Sequence, residues 1–218
     1  MDQNKLNQQS NYWEASFTEK PMMFGLAPSV AALAALKRFE EENIKEIVEL
    51  GAGLGRDTIF FAKNKIKIEA LDYSSTAIKI IEKKAVEKNF SELVSTRCFD
   101  VRDKLPFKDN SIKGIFSHML YCMVLTYSDI EKLNNEILRI LKPGGINIYT
   151  VRHINDADYK KGIHRGEDMY ENDGFIINFF SKKKVNNLLK GFKNLSITKF
   201  EEGSFPRKLF LVQNKKYN

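Results

Sequence analysis

The stretch IVELGAGLGRDTIFFA, residues 47–62, governs how the rest of the chain is read. An apolar run of strand length ends in Gly51, Gly53 and Gly55, and an amphipathic segment follows. A strand, a glycine loop and a helix in that order place a ligand at the carboxyl end of the strand. The glycines allow a sharp turn and keep every Cβ out of the ligand's way. Three of them are costly for a plain turn. Two carboxylates flank the loop, Glu49 before it and Asp57 after it.

Charge narrows the choice of ligand. A dinucleotide loop G-x-G-x-x-G, counted from Gly51, needs a glycine where Arg56 stands, and no Gly-Lys-Ser/Thr follows as in a P-loop. A pyrophosphate there would face Glu49 and Asp57, if both point inward, and in a partly dry cleft that is strongly repulsive. A cationic ligand reverses the sign. S-adenosylmethionine carries an ammonium and a sulfonium and no phosphate. Glu49, Gly51, Ala52, Gly53, Arg56 and Asp57 are therefore candidate cofactor-binding residues. Asp57 has an alternative as a favourable first-turn acid on its helix.

Outward from the loop, strand-length apolar runs alternate with helical patterns. Strands are expected at 45–50, 66–71, 93–99, 111–119 and 146–151. Ile59, Phe60 and Ala62 mark the apolar side of the helix after the loop; Ile78, Ile81 and Ala85 mark the next. Ser128 and Glu131 read as a capping box before Ile130, Leu133, Ile137 and Leu141, and KPGG (142–145) stops that helix. Ser29 caps a helix carrying Val30, Leu33 and Leu36; Ser181 caps one carrying Val185, Leu188 and Leu189. Two strands, 195–202 and 208–213, close the chain around Gly203 and Pro206. Their short connection makes them an antiparallel hairpin, so the last strand runs against the sheet. The fold expected is α/β: a doubly wound, seven-stranded, mostly parallel sheet with an antiparallel last strand. One domain over 1–218 is expected. It comprises an N-terminal lid and helix (1–44), a cofactor-binding core (45–151), a substrate-covering loop (152–180), and a C-terminal helix and hairpin (181–218).

Asp72 ends the second strand in ALDYS, 21 residues after Gly51, where a carboxylate accepts from ribose hydroxyls. That ribose is common to NAD and S-adenosylmethionine, and capping of the next helix is the competing role. Tyr73 and Ser74 adjoin it. Asp100, followed by Val101, ends the third strand, where a carboxylate can accept from an adenine amine.

VELGAGLG (48–55), ALDYS (70–74), FD (99–100), PFKDNSIKGIFS (106–117) and LKPGG (141–145), in that order and spacing, resemble the class I S-adenosylmethionine-dependent methyltransferases over 44–151. The resemblance implies a seven-stranded Rossmann-like fold with its last strand antiparallel. It places the glycine loop on the cofactor's methionine part, Asp72 on the ribose and Asp100 near the adenine. The backbone around Ser117 would hold the methionine ammonium. GLGRD, the small size and the aromatic N-terminal lid are most similar to the tellurite-resistance and thiopurine methyltransferase branch.

Methyl transfer mainly needs alignment in a dry pocket, and a thiol or chalcogen acceptor needs no base. For other acceptors, His118 is the first candidate base or substrate contact, then His153, with Tyr121 nearby. His164 lies in the long loop; all three histidines have surface or capping alternatives. Arg152 and Arg165 are candidates for an anionic part of the acceptor. Tyr12, Trp13 and Phe24 could close over the cofactor, with the sulfonium on an aromatic face; helix packing is the alternative. The His, Asp and Glu residues between 153 and 168 match no metal-ligand spacing, so no metal is expected.

Composition removes other classes. Two cysteines, Cys98 and Cys122, make neither a disulfide framework nor a zinc cluster. The polar start and the lack of a long apolar run point to a cytoplasmic protein with no membrane partner. The net charge of +7 comes from scattered lysines without interleaved aromatics, which disfavours a nucleic-acid partner. No Asn/Asp-Pro-Pro-aromatic motif follows the fourth strand, and no Pro-Cys nucleophile occurs. The reading is methyl transfer to a small molecule, a thiol or chalcogen among the candidates. The alternatives are an NAD-dependent dehydrogenase and a methyltransferase acting on RNA. Oligomeric state leaves no sequence signal.

Overall fold

The computed structural model describes residues 3–123, 125–203 and 207–218. Helices α1 (Gln3–Glu19) and α2 (Val30–Glu41) precede β1 (Glu46–Leu50). Then come α3 (Arg56–Lys63), β2 (Lys67–Asp72), α4 (Ser75–Glu87), β3 (Val94–Cys98), β4 (Ile112–Ser117), α5 (Tyr127–Ile140) and β5 (Leu141–Arg152). Three short strands follow, β6 (Ile163–His164), β7 (Met169–Asn172) and β8 (Phe175–Asn178). Helix α6 (Lys182–Asn187) and strands β9 (Phe192–Glu202) and β10 (Arg207–Lys216) complete the chain.

Seven strands form one sheet in the order β3-β2-β1-β4-β5-β10-β9. The first five pair in parallel, and β10 is antiparallel to both β5 and β9. This is the expected Rossmann-like methyltransferase fold, antiparallel strand included. The order reverses between β1 and β4, so their carboxyl ends open a crevice there.

Alternation along the strands supplies two cores. Ile47, Ile68, Phe116, Ile146 and Ile148 face α2 and α3; Val48, Leu50, Ile115, Tyr149 and Val151 face α5 and α6. A central strand buried on both faces has no polar stripe, which is why EIVEL reads as continuous.

Several boundaries differ from expectation for identifiable reasons. Helix α2 buries Ala31, Ala32, Ala35 and Phe39, while Val30 and Leu33 stay about half exposed. Small alanines let the helix sit close to the sheet, so the longer side chains point outward. Helix α3 buries Phe61 and Thr58 along with Ala62, rather than Ile59 and Phe60. The capping box of α5 uses Thr126 and Asp129, two residues before the Ser128 pair. Leu141 begins β5 instead of closing the helix face. Ser29 and Ser181 cap α2 and α6 as expected. The largest correction concerns 152–180. This segment is not loop throughout: β6-β7-β8 form a separate antiparallel sheet. Its strands are four residues or shorter, too brief to show alternation. Pro206 lies outside the described residues.

Candidate functional site

A cavity of about 780 Å³ opens at the carboxyl ends of β1, β2 and β4. The glycine loop forms its floor. Gly51, Gly53 and Gly55 all adopt left-handed backbone, with φ of 71°, 52° and 73°. The loop is pinned at both ends. Gly51 and Ala52 N–H donate to Leu71 O, and Gly53 N–H donates to the Asp72 carboxylate at 2.7 Å.

Asp72 is 5% exposed and also accepts from Ser74 N–H at 2.9 Å. Burial pushes its carboxyl up to about 6, against those backbone donors. Glu49 is 2% exposed and accepts from Thr58 Oγ at 2.5 Å. Burial, then the neighbouring Asp57, drives its carboxyl well above the ordinary range. Neither Glu49 nor Asp72 has an ion-pair partner among the described residues. Such groups are stabilised as anions by an incoming cation.

Asp57 is different. Ser29 N–H and Oγ–H both donate to it at 2.7 Å, joining the start of α3 to the N-cap of α2. It touches the cavity wall, but its hydrogen bonds face inward to structure. Asp57→Asn should lower stability by about 1–2 kcal/mol, the cost of weakening bonds to a buried charged acceptor. Thermal unfolding checks this, and a drop in cofactor affinity without a change in stability would contradict the bracing role. Arg56 donates to Phe24 O and to Glu202, both at 3.3 Å.

Tyr73, Asp100 and Val101 line the same wall. Asp100 is held by Arg102 through Nε and Nη2, which keeps its carboxyl below the ordinary range despite burial. Trp13, Phe17 and Phe24 cover the cavity from the N-terminal side, and Trp13 packs on Phe175 at 4.7 Å. Tyr12 is not on the wall; it lies over Gly174. Ser74 is also off the wall, capping α4 through Ala77 N–H. Ser117 is fully buried beneath it, with an Oγ that has no partner among the described residues.

Of the catalytic candidates, the structure places only His118 at the cavity. Its Nδ1 is 3.0 Å from Thr150 Oγ, and its Nε2 is 3.4 Å from Glu202. Burial lowers the imidazole to about 4, so it is neutral at pH 7. Tyr121 is fully buried and stacked on Tyr149 at 4.3 Å, behind the wall. His153 packs on Phe210 and accepts from Asn155 N–H, closing a turn outside the cavity. His164 pairs with Glu167 O. Arg152 is buried between Asp156 and Asp158, and Arg165 is bound to Glu171, so neither is a free anion site. Among the described residues no cluster of His, Cys, Asp or Glu is arranged to hold a metal.

The sequence reading missed several wall residues: Met119, Leu120, Met123, Phe175 and Glu202. It also missed Glu14, whose carboxylate accepts from Ser74, Ser75 and Thr76 at the start of α4. These partners are distant in sequence, and no local pattern marks them. Met119 has a trace signal only in structure: a left-handed φ of 60°, held by its N–H donating to Thr150 Oγ at 2.8 Å. Backbone strain of this kind gathers at working sites.

Comparison with known proteins agrees with this geometry. Residues 48–149 match the family described as methyltransferase domain. Phosphoethanolamine N-methyltransferase 1 of Triticum aestivum is 34% identical over 128 residues, covering 58% of this chain and 23% of its own length. The Zea mays protein of that name is 31% identical over 156 residues, 66% of this chain and 30% of the relative. The chain thus spans under a third of the curated relatives it matches. Among solved structures, the 1,6-didemethyltoxoflavin-N1-methyltransferase of Burkholderia thailandensis superposes with a TM-score of 0.78 at 14% identity, covering 100% of this chain and 91% of that one. The N-methyltransferase NodS of Bradyrhizobium japonicum, solved with S-adenosylhomocysteine, gives 0.66 at 13%, covering 86% of each. No described helix is long and apolar enough to cross a membrane. Residues 48–149 thus resemble a methyltransferase domain, set in the Rossmann-like fold that the solved methyltransferases share.

Proposed function

We propose that the chain transfers a methyl group from S-adenosylmethionine to a small-molecule acceptor. The observation that carries this is a pair of buried carboxylates, Glu49 and Asp72, on the cavity wall with no ion-pair partner among the described residues. The residues fit that cofactor: the glycine backbone gives close approach and the wall acids suit a cation. When bound, it supplies a methyl group already activated by the sulfonium.

In this reading Glu49 and the backbone at Ser117 attract the methionine ammonium, Asp72 holds the ribose, and Asp100 with Val101 lies beside the adenine. Trp13 and Phe24 exclude water and present aromatic faces to the sulfonium. Tyr12 and Ser74 act indirectly, by seating α1 and α4. His118, neutral and on the wall, is the first acceptor contact. Two nucleophiles compete. GLGRD supports a thiol or chalcogen, whereas the names of the relatives and of the solved N-methyltransferases support nitrogen.

Calorimetry from pH 5 to 8 tests the reading. S-adenosylmethionine should bind, and NAD should not. Ribose hydroxyls that donate to ionised Asp72 lower that group's pKa on binding. Affinity should therefore rise with pH, by up to about tenfold per pH unit below 6, and level off above. NAD binding without S-adenosylmethionine binding would sink the proposal.

A further inference from the structure

The acceptor half of the cavity has a chemical character of its own. The segment after β4 is stitched to β8. Asn178 N–H donates to Cys122 O at 2.8 Å, and the Asn178 side chain donates to Leu125 O at 2.9 Å. A bridge pairs Met123 with Ile177. This joint presents Met119, Leu120, Met123, Leu125, Phe175 and Ile177 to the cavity. Leu120 lies against the glycine loop, where a Cβ added at Gly51 would come within 2.9 Å of it. The apolar wall therefore begins beside the loop assigned to the methionine end of the cofactor. An acceptor approaching that end meets it first.

The cations on the wall are largely spent. Arg56 is held by Glu202 and Asp57, Arg102 by Asp100, and Arg152 by Asp156 and Asp158. Only Lys20 and Arg207, both exposed, have no ion pair among the described residues. Seven carboxylates stand on the same wall against five cations in all. A phosphate dianion needs convergent, uncommitted donors, typically arginines, and meets here a surface of the wrong net sign. A flat, polarisable ring meets thioethers and an aromatic edge, which adapt to such shapes.

We propose that the acceptor is an uncharged, ring-bearing molecule whose nucleophilic atom is carried on or in the ring, and not a phosphate-bearing amine. This rests on the methyl-transfer reading of the same site. It departs from the substrate in the names of the relatives.

The test uses the whole chain loaded with S-adenosylhomocysteine. Trp13 is the only tryptophan and packs on Phe175, so its fluorescence reports filling of the acceptor half. The probes are 2-mercaptopyridine, 2-aminopyridine, 8-hydroxyquinoline and phosphoethanolamine. At least one ring probe should bind at sub-millimolar concentration and be methylated when S-adenosylmethionine is supplied, with phosphoethanolamine at least tenfold weaker. Ile177→Glu should weaken ring-probe binding about tenfold or more, the range for a disturbed apolar pocket, with S-adenosylmethionine affinity unchanged as the control for folding. Met123→Ser is the milder companion, expected to weaken the ring probe several-fold. Tighter binding of phosphoethanolamine, no binding of any ring probe, or indifference of ring-probe binding to Met123→Ser would overturn the proposal. Failure of the unaltered chain to bind S-adenosylmethionine would instead overturn the methyl-transfer reading on which it rests.

Discussion

Asp72→Ala is expected to weaken S-adenosylmethionine binding by about 1–3 kcal/mol, the scale of lost hydrogen bonds to a charged acceptor. Two effects combine. The ribose loses its proposed acceptor. The loop also loses its tether, because Gly53 N–H and Ser74 N–H both end on this carboxylate. Asp72→Asn separates them poorly, since its amide would point a donor at one of two backbone donors. The informative contrast is with pH. The variant should lose the rise in affinity that the unaltered chain shows through about pH 6. Titration calorimetry on both proteins measures this directly; equal affinities at pH 8 would refute the assigned role.

Gly55→Ala should cost about 2–5 kcal/mol of stability. A Cβ there would sit 2.6 Å from Ile81 Cγ1, and Ile81 is fully buried in α4. Left-handed backbone at φ 73° adds about 1–2 kcal/mol for any residue with a Cβ, and overpacking adds about 1–3 kcal/mol. The mid-chain atom of a buried isoleucine cannot swing away as a flexible tip could. Denaturant unfolding gives the number. A loss under 1 kcal/mol would mean that α3 and α4 shift apart to admit the methyl group. Gly53→Ala is the control for the clash, since nothing lies nearer than 3.6 Å there.

Most of the core was legible because its signals are local. Strand EIVEL, the glycine run and Asp72 lie within 27 residues, and repeated strand–helix units leave little freedom in how a sheet is built. The antiparallel last strand followed from a short connection alone. What stayed hidden depended on contacts across long stretches of chain. Asp57 looked like a ligand-facing acid; Ser29, 28 residues away, claims both its oxygens. His153 and Tyr121 lie close in sequence to strand ends, yet their side chains point behind the wall, and position along a strand does not reveal which way its end turns. The three-residue offset between Thr126 and Asp129 was available in the sequence, but the Ser128–Glu131 pair has the same form. Only the hydrogen bonds decide between them.

The link between α1 and the small sheet has a further consequence. Gln9 accepts from Ile176 N–H and donates to Gly174 O. Both partners are main-chain atoms, so this clasp is blind to the side chains displayed by the hairpin. Glu14, further along the same helix, ties it to the start of α4. Hairpin side chains other than Phe175, which packs on Trp13, can therefore be exchanged while this main-chain anchorage persists. In the proposed reading, the acceptor-facing positions of β7 and β8 other than Phe175 can vary while the loop that would grip the methyl donor stays as it is.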